Sequence, residues 1–256
     1  MWIYEKFAAF YAGGPYTHYS SRMAEILPSV LQQVGAQPQT ILDLACGEGT
    51  FAVAAAKKGF YVTGVDASSH MLDFARKLAE KEKVKVEFLL QDMRSLHFEK
   101  KFDLVTCWYD SLNYLLELKD LETTFAGVYR ALRDGGLFIF DVYTIYGFVV
   151  SRREYPYYVE QDTPTLFEVH RPNYDFEKNI ATMVVTGFIR DHNKNGNENT
   201  WVRVDEEHKQ RGYFLEEIQT CLEKSGLQKL VCWGSLHEMS DPEPDSKRVW
   251  FITQKM

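Results

Sequence analysis

The chain has 256 residues, 45% of them hydrophobic, and a formal net charge of -7 at pH 7. This length and composition suit one large or two small globular domains, and the acidic balance argues against nucleic acid as a partner. The four cysteines are scattered, with no C-x-x-C pair and no cluster with histidine. Their placement predicts no metal site and no disulfide framework, and it favours a reducing cytoplasm. No apolar run approaches the ~20 residues that cross a bilayer, so we expect no membrane association.

The first 28 residues are rich in aromatic side chains. Phe7, Phe10 and Tyr11 fall at helical spacing, and Gly13-Gly14-Pro15 interrupts this pattern before a second helix predicted over residues 20–34. Because most aromatic rings in proteins belong to a core, packing onto the rest of the domain is one interpretation of this segment.

The stretch over residues 40–59 predicts a strand, a glycine turn and a helix. Residues 41–45 form an apolar run, Gly47-Glu48-Gly49 breaks it, and Thr50 stands at the N-cap of a helix predicted over residues 51–58. Such a turn directs unpaired backbone N–H groups at one point and suits a carboxylate or phosphate of a cofactor. Asp43 is a carboxylate inside the apolar strand, where a charge is costly without a partner.

Three further strands are predicted, and acidic residues follow two of them. The second, over residues 60–65, ends at Asp66, which can accept two hydrogen bonds from an adenosine ribose or can cap the helix predicted over residues 68–83. The third, over residues 84–90, leads to Asp92-Met93, where a turn or capping aspartate is the alternative. The fourth, over residues 102–107, leads into Trp108-Tyr109-Asp110-Ser111-Leu112-Asn113-Tyr114.

This series resembles the class I S-adenosylmethionine (SAM) methyltransferases over about the first 140 residues, most closely in Leu42-Asp43-Leu44-Ala45-Cys46-Gly47-Glu48-Gly49-Thr50. The resemblance implies a Rossmann-like, doubly wound α/β fold with a seven-stranded sheet, SAM as cofactor and S-adenosylhomocysteine as product. It implies that Asp66 binds the ribose, that Asp92 and the Met93 N–H bind the adenine, and that the Cys107 carbonyl holds the cofactor's amino group. The cofactor-binding residues expected on this basis are Asp43, Ala45, Cys46, Gly47, Gly49, Asp66, Ala67, Met71, Asp92, Met93 and Cys107, with Tyr11 and Tyr19 from an N-terminal helical lid.

The next predicted elements are a helix over residues 120–133, which Asp134-Gly135-Gly136 would end, and a fifth strand over residues 137–142. The α/β alternation stops after this strand. Extended segments at residues 165–171, 182–190 and 200–210, the last two joined by a polar turn at residues 192–197, predict an inserted antiparallel sheet. A helix at residues 213–225 and strands at 227–233 and 248–253 complete the pattern, with a surface turn at residues 241–245. We therefore predict three parts: a lid and SAM-binding core over residues 1–142, an inserted substrate cover over 143–212, and a C-terminal completion of the core over 213–256.

The implied reaction is an in-line displacement that moves a methyl group to a small-molecule acceptor, at nitrogen or oxygen, and it depends mainly on positioning. Candidate catalytic residues are Asp110 and His208 as bases, with Tyr109 beside them. Alternation places Glu206 and His208 on one face of the inserted sheet and Glu207 and Arg211 on the other; a solvated edge strand explains the same residues. The position of the insertion resembles small-molecule methyltransferases, including those that N-methylate amino sugars or glycine. The Asn-Pro-Pro-Tyr segment of nucleic-acid adenine methyltransferases is absent after Cys107.

Two other classes stay open at this point. An NAD(P)-dependent oxidoreductase explains Gly47-x-Gly49-x-x-Ala52 and Asp66 but leaves Asp43 and Asp92-Met93 unexplained. A non-catalytic SAM-binding protein would keep the cofactor site and lack an acceptor site. A homodimer is left open as the oligomeric state.

Overall fold

The computed structural model describes residue 4 and residues 7–154, 156–191 and 200–256. These residues form a seven-stranded sheet, in the order β10-β11-β5-β4-β1-β2-β3, and a four-stranded sheet, in the order β6-β7-β8-β9. The strands are β1 (Thr40–Leu44), β2 (Tyr61–Asp66), β3 (Val86–Leu90), β4 (Phe102–Cys107), β5 (Leu132–Tyr143), β6 (Tyr158–Asp162), β7 (Leu166–Asp175), β8 (Ile180–Asp191), β9 (Thr200–Arg211), β10 (Leu227–Trp233) and β11 (Arg248–Lys255). The helices are α1 (Ala8–Gly13), α2 (Thr17–Gln33), α3 (Thr50–Lys57), α4 (Ser69–Glu82), α5 (Leu118–Ala131), α6 (Ile145–Glu154) and α7 (Leu215–Ser225).

The large sheet has helices on both faces, which confirms the predicted doubly wound fold. Strands β1 to β5 are parallel, and β11 lies antiparallel between β5 and β10. Leu42 and Leu44 pack with α5 and α7 on one face, whereas Ile41 packs with α2, α3 and α4 on the other. Each such buried apolar side chain contributes ~1.5–3 kcal/mol.

Two predicted helix ends are wrong, and a glycine with positive φ lies near each of them. The N-cap of α3 is Gly49, with φ 83°, and Thr50 is already helical. Helix α5 ends at Ala131, so Asp134-Gly135-Gly136 does not end it. Gly135 has φ 79° and lies within β5, where the register against β4 shifts, so this glycine serves a bulge and not a helix cap.

The four-stranded sheet is antiparallel and follows β5 in the chain, as predicted for an insertion. Its strands β7, β8 and β9 match the three predicted extended segments, but the prediction missed α6 and β6. The predicted turn at residues 192–197 lies outside the described residues. Near the N-terminus, α1 ends at Gly13 and α2 begins at Thr17, three residues before the predicted start.

Candidate active site

The carboxyl ends of the parallel strands open into a cavity of about 420 Å³, which we call the strand-end cavity. Residues from the ends of β1, β2 and β3 line it, together with aromatic and polar side chains from the N-terminal segment and from β9. Of the expected cofactor residues, Tyr11, Ala45, Gly47, Asp66, Ala67, Met71, Asp92 and Met93 line this cavity. Ligands of open α/β sheets bind at this edge.

The glycine turn exposes backbone to the cavity at Gly47. This residue has φ 56°, and a Cβ there would lie 3.2 Å from the Met71 Cε atom. Gly49 serves a different purpose, because a Cβ on it would lie 2.8 Å from the Ala75 Cβ atom. Gly47 therefore allows close approach to the cavity, and Gly49 allows close packing of α3 against α4.

Asp66 joins the glycine turn to the start of α4. Its Oδ2 accepts the N–H of Gly47 at 2.9 Å, and its Oδ1 accepts the N–H of Ser68 at 2.8 Å. The N-cap of α4 is Ser68, whose hydroxyl oxygen accepts the Met71 N–H, so the interpretation of Asp66 as the N-cap is wrong. Burial raises the pKa of Asp66, and the two N–H donors oppose that shift. A carboxylate has about four lone-pair sites, so Asp66 keeps acceptor capacity at the cavity.

Asp43 finds a partner on the neighbouring strand. The carboxylate is 2% exposed, and the Thr106 hydroxyl donates to its Oδ1 at 3.0 Å. Oδ2 is buried with no hydrogen-bond partner among the described residues. Burial raises the pKa of Asp43 well above its ordinary value, because the charged carboxylate is poorly solvated at this position.

Asp92 caps the short turn Met93–Ser95 by accepting the Arg94 N–H. Its Oδ2 also pairs with the Arg94 guanidinium at 2.6 Å, and this contact lowers the pKa of Asp92. The capping alternative is therefore confirmed, although Asp92 also lines the strand-end cavity. Arg94 was not foreseen as a neighbour of the site.

Five expected cofactor residues lie outside the described lining of the strand-end cavity: Asp43, Cys46, Gly49, Cys107 and Tyr19. The Cys107 side chain is fully buried at the end of β4. Tyr19 stacks on Tyr109 with ring centroids 4.6 Å apart and accepts a hydrogen bond from Trp250. Tyr19 therefore packs against Tyr109 and does not reach the strand-end cavity.

A second cavity, of about 290 Å³, lies between the N-terminal segment, the end of β4 and the inner face of the four-stranded sheet. We call it the aromatic cavity, because nine tyrosine and phenylalanine side chains are among its lining residues. Tyr4, Tyr11 and Tyr114 line both cavities. The two spaces therefore meet at these three rings.

Tyr109 and Asp110 lie on the wall of the aromatic cavity in a turn with positive φ, 59° and 51°. Asp141, fully buried on β5, accepts both of their N–H groups, at 2.7 and 2.9 Å. Arg248 donates hydrogen bonds to Asp141 and, at 2.6 Å, to the Oδ1 of Asp110. Gln210 donates to the other carboxylate oxygen of Asp110, Oδ2. Burial raises the pKa of Asp110, and Arg248 opposes the shift.

Neither Asp141 nor Arg248 was predicted as a site residue. The guanidinium carbon of Arg248 lies 4.9 to 5.4 Å from the ring centroids of Tyr19, Tyr143 and Tyr109, a cation–π arrangement. Asp141, like Asp43, is a carboxylate within an apolar strand. The same pattern could therefore have identified it.

His208 faces the aromatic cavity from β9 and is 5% exposed. Its Nδ1 hydrogen-bonds the Tyr114 hydroxyl at 3.1 Å. Its Nε2 makes no hydrogen bond among the described residues, but it lies 3.4 Å from the Glu206 Oε1. Burial lowers the pKa of His208 to about 4, so the imidazole is neutral at pH 7. The solvated edge-strand interpretation is wrong for this residue.

Glu206 lies on the same inward face as His208, as alternation predicted. Its two carboxylate oxygens accept the N–H of Tyr4 at 2.5 Å and the N–H of Phe7 at 3.1 Å. Glu207, on the other face, pairs with Lys209. The inserted sheet therefore holds the N-terminal segment over the junction of the two cavities.

No group of three or more His, Cys, Asp or Glu side chains within the described ranges is arranged to hold a metal ion. In the same part of the chain, no helix has the length and apolarity needed to cross a membrane.

Comparison with known proteins assigns the chain to a family. Residues 41–136 match the methyltransferase domain family. A protein of Geobacillus sp. (strain WCH70), named only as a methyltransferase, is 33% identical over 98% of this chain and 99% of its own length. A crystal structure of an S-adenosylmethionine-dependent methyltransferase from Clostridium acetobutylicum ATCC 824 superposes with a TM-score of 0.81 at 26% identity, covering 98% of both chains. The SAM-bound amino pentose methyltransferase CalS10 from Micromonospora echinaspora shares the fold, with a TM-score of 0.70 at 16% identity over 100% of this chain and 98% of that one.

The fold and the strand-end site define a class I SAM-dependent methyltransferase. This chain belongs to that methyltransferase family, and it is an enzyme that uses SAM. The oxidoreductase alternative is therefore wrong.

Proposed function

We propose that the enzyme transfers the methyl group of SAM to a nitrogen or oxygen atom of a small molecule bound in the aromatic cavity. The observation that carries this proposal is the junction of the two cavities at Tyr4, Tyr11 and Tyr114. A volume of about 290 Å³ lies just below the usual range for ligand pockets, ~300–1,000 Å³, and so suits a small acceptor.

The residues of the strand-end cavity fit SAM. Its volume of about 420 Å³ lies within the range of such sites, and Gly47 leaves room for a ligand against the backbone. In this proposal Asp66 accepts the ribose hydroxyls, and Asp92 and the Met93 N–H contact the adenine. We also assign the Cys107 carbonyl and the Oδ2 of Asp43 to the cofactor's amino group, although neither residue is in the cavity lining. When bound, SAM supplies an activated methyl group.

On the acceptor side, the chain positions the nucleophile and excludes water. Both oxygens of Asp110 are engaged by Arg248 and Gln210, so we assign Asp110 to holding the Tyr109 turn and not to proton removal. The Nε2 of His208 lies 3.4 Å from the Glu206 Oε1 and makes no hydrogen bond among the described residues, so we assign it a hydrogen bond to the acceptor as a neutral imidazole. Tyr109 forms part of the wall that holds the acceptor.

The first experiment is calorimetric titration with SAM, S-adenosylhomocysteine and NAD, followed by incubation with methyl-tritiated SAM and a panel of small amines and phenols. Met183 lines the aromatic cavity on β8, so Met183→Trp should fill the cavity and abolish product while SAM affinity is unchanged. Val184→Trp is the matched control, because this neighbouring side chain is 36% exposed. Product formation by Met183→Trp at the wild-type rate would place the acceptor elsewhere.

The amino pentose methyltransferase, by its name, methylates a small sugar within the same fold, which is compatible with an acceptor of this size.

A cytoplasmic location is part of the proposal, supported by four cysteines that are all free. The proposal includes no nucleic-acid partner and leaves homodimer formation open.

A further inference from the structure

Asn113 is a polar side chain with no exposed surface in the loop between β4 and α5, residues 108–117, which we call the β4–α5 loop. It lines neither cavity. Its Nδ2 donates to the carbonyl oxygens of Tyr143 at 3.0 Å and Arg211 at 2.7 Å, and its Oδ1 accepts the Tyr143 N–H at 3.0 Å. A side-chain amide has two N–H donors and one carbonyl oxygen, so these contacts use both donors and the oxygen.

The two partners of Asn113 mark the start and the end of the insertion that carries the four-stranded sheet. Tyr143 is the last residue of β5, where the chain leaves the large sheet, and Arg211 is the last residue of β9, where the chain returns to it. Thr144 and Tyr213, just beyond these two positions, form a parallel bridge with each other. Asn113 therefore joins both ends of the insertion to the β4–α5 loop.

The same loop meets β9 again at the junction of the two cavities. Tyr114 follows Asn113 in the chain and lines both cavities, and its hydroxyl lies 3.1 Å from the His208 Nδ1. His208 lies on β9, three residues before Arg211. Two cross-links therefore connect the same two segments, and the buried one, from Asn113, fixes the register in which Tyr114 meets His208.

The partners of Asn113 require an amide. The Tyr143 N–H needs an acceptor, whereas the two carbonyl oxygens need donors, and a side-chain amide supplies both kinds of group. A carboxylate of the same shape only accepts hydrogen bonds and would face two carbonyl oxygens. A buried polar group that loses its partner is costly, so this arrangement allows little movement between the three segments.

We propose that Asn113 is a positioning residue for methyl transfer, because it holds both ends of the insertion against the β4–α5 loop and so aligns the aromatic cavity with the strand-end cavity. This inference rests on the proposed function, since the alignment matters only when an acceptor in one cavity meets SAM in the other. Asn113 acts through Tyr114 and His208. In a reaction that depends on positioning, an error of about 1 Å can lower the rate by about 10².

A side chain that only stabilised the fold would make the same three hydrogen bonds. Its loss would then lower stability without changing turnover in the protein that remains folded. Thr253 on β11 provides this comparison within the same molecule, because it is 0% exposed and its hydroxyl donates to the Phe138 carbonyl oxygen at 3.2 Å. Thr253 lines neither cavity.

The first measurement is kcat with the acceptor found by the tritium screen, together with SAM affinity by calorimetry, at a temperature where circular dichroism shows each variant folded. Asn113→Ser should lower kcat by about 10² with SAM affinity unchanged. The matched control, Thr253→Val, should lower thermal stability and leave kcat at the wild-type value. Wild-type kcat in folded Asn113→Ser overturns the inference.

Tyr213→Phe decides the question if Asn113→Ser does not fold. The Tyr213 hydroxyl donates to the Leu115 carbonyl oxygen, so it joins the β4–α5 loop to the chain just after β9, and Tyr213 lines neither cavity. Removing this hydroxyl should lower kcat by about tenfold through the same misalignment, with SAM affinity unchanged. Wild-type kcat in Tyr213→Phe would then overturn the inference.

The last measurement needs no acceptor. Crystal structures of the wild type and Asn113→Ser with S-adenosylhomocysteine should show the Tyr114 hydroxyl more than about 3.5 Å from the His208 Nδ1 in the variant, beyond hydrogen-bond distance. The contact between Asp66 and the Gly47 N–H should be the same in both.

An unchanged Tyr114–His208 contact in the variant overturns this inference and leaves the proposed function standing. Failure of every acceptor in the panel with the wild type, while SAM still binds, overturns the proposed function and this inference with it.

Discussion

At the scale of single residues, the strand-end site depends on carboxylates placed where the chain would otherwise be apolar. Asp66 is held by two backbone N–H groups, Asp43 by one hydroxyl, and Asp141 by two N–H groups and Arg248. A buried carboxylate is costly unless hydrogen-bonded. These contacts determine how many acceptor sites each carboxylate keeps for a ligand.

Asp66→Ala should weaken SAM binding by about 1–3 kcal/mol, because the variant removes the acceptor proposed for the ribose hydroxyls and leaves their donors unpaired. Calorimetric titration measures the change. Asp73→Ala is the control, since Asp73 is an exposed residue of α4 that pairs with Arg76. Equal affinity in wild type and Asp66→Ala would remove Asp66 from the cofactor site.

His208 should make folding stability depend on pH. The folded protein protonates this imidazole only near pH 4, whereas the unfolded chain does so near ~6.5. The unfolded state therefore binds more protons between these values, and the His208 contribution is fully present above pH 6.5 and is lost as pH falls towards 4. Urea unfolding at pH 7.5 and pH 5 should show a decrease of about 2 kcal/mol from this residue.

The control for that pH dependence is His208→Gln, which keeps a polar side chain and removes the titration. The difference between the two proteins isolates His208 from the other groups that titrate in this range. Parallel pH curves for wild type and variant would show that the folded-state pKa of His208 is not lowered.

At the scale of elements, the approach of α3 to α4 sets the shape of the glycine turn. Gly49 begins α3 with positive φ and lies against Ala75 of α4. The two glycines of the turn therefore have different roles, because Gly47 faces the cavity and Gly49 packs against α4. Substitutions at the two glycines should affect different properties.

Gly49→Ala should lower the free energy of unfolding by about 2 kcal/mol or more, the sum of backbone strain at positive φ and overpacking against Ala75. Gly59→Ala separates the two effects, because Gly59 has φ 96° with no heavy atom within 4 Å of the added Cβ. Chemical denaturation measures both variants. The prediction is contradicted if the two variants lose equal stability.

The parallel core could be predicted from sequence because its strands are largely apolar runs, and β2 and β3 lead to the acidic residues Asp66 and Asp92. The short strand β6, Tyr158–Asp162, could not, because five mostly polar residues give no clear alternation. Arg248 was also beyond reach, because its partners Asp141 and Asp110 lie 107 and 138 positions away in the chain.

At the scale of the whole molecule, three parts of the chain far apart in sequence enclose the junction of the cavities. The N-terminal segment supplies Tyr4 and Tyr11, the turn after β4 supplies Tyr114, and β9 supplies Glu206 to hold the segment in place. The contact between Glu206 and the backbone of this segment therefore controls how tightly both cavities are covered.

Glu206→Gln should loosen the N-terminal segment, because a neutral amide accepts weaker hydrogen bonds from the Tyr4 and Phe7 N–H groups than a carboxylate does. Amide hydrogen exchange over α1 should become about tenfold faster or more, since hydrogen bonds to charged groups contribute ~1.5–3 kcal/mol. Asp205→Asn, on the opposite face of β9 where Asp205 pairs with Arg203, is the control. Exchange that is no faster than in the control would show that Glu206 does not hold the segment.

The two cavities have walls of different origin, and this has a consequence for how such enzymes diversify. The ends of β1, β2 and β3 line one cavity, whereas β6 to β9 supply much of the wall of the other. Mutations in β6, β7 and β8, which do not line the strand-end cavity, can therefore alter the aromatic cavity without rebuilding the proposed SAM site. Tyr4, Tyr11 and Tyr114 line both cavities, so substitutions at these positions would change both at once. An engineer seeking a different acceptor would randomise the inward residues of β6, β7 and β8 and leave these three tyrosines fixed.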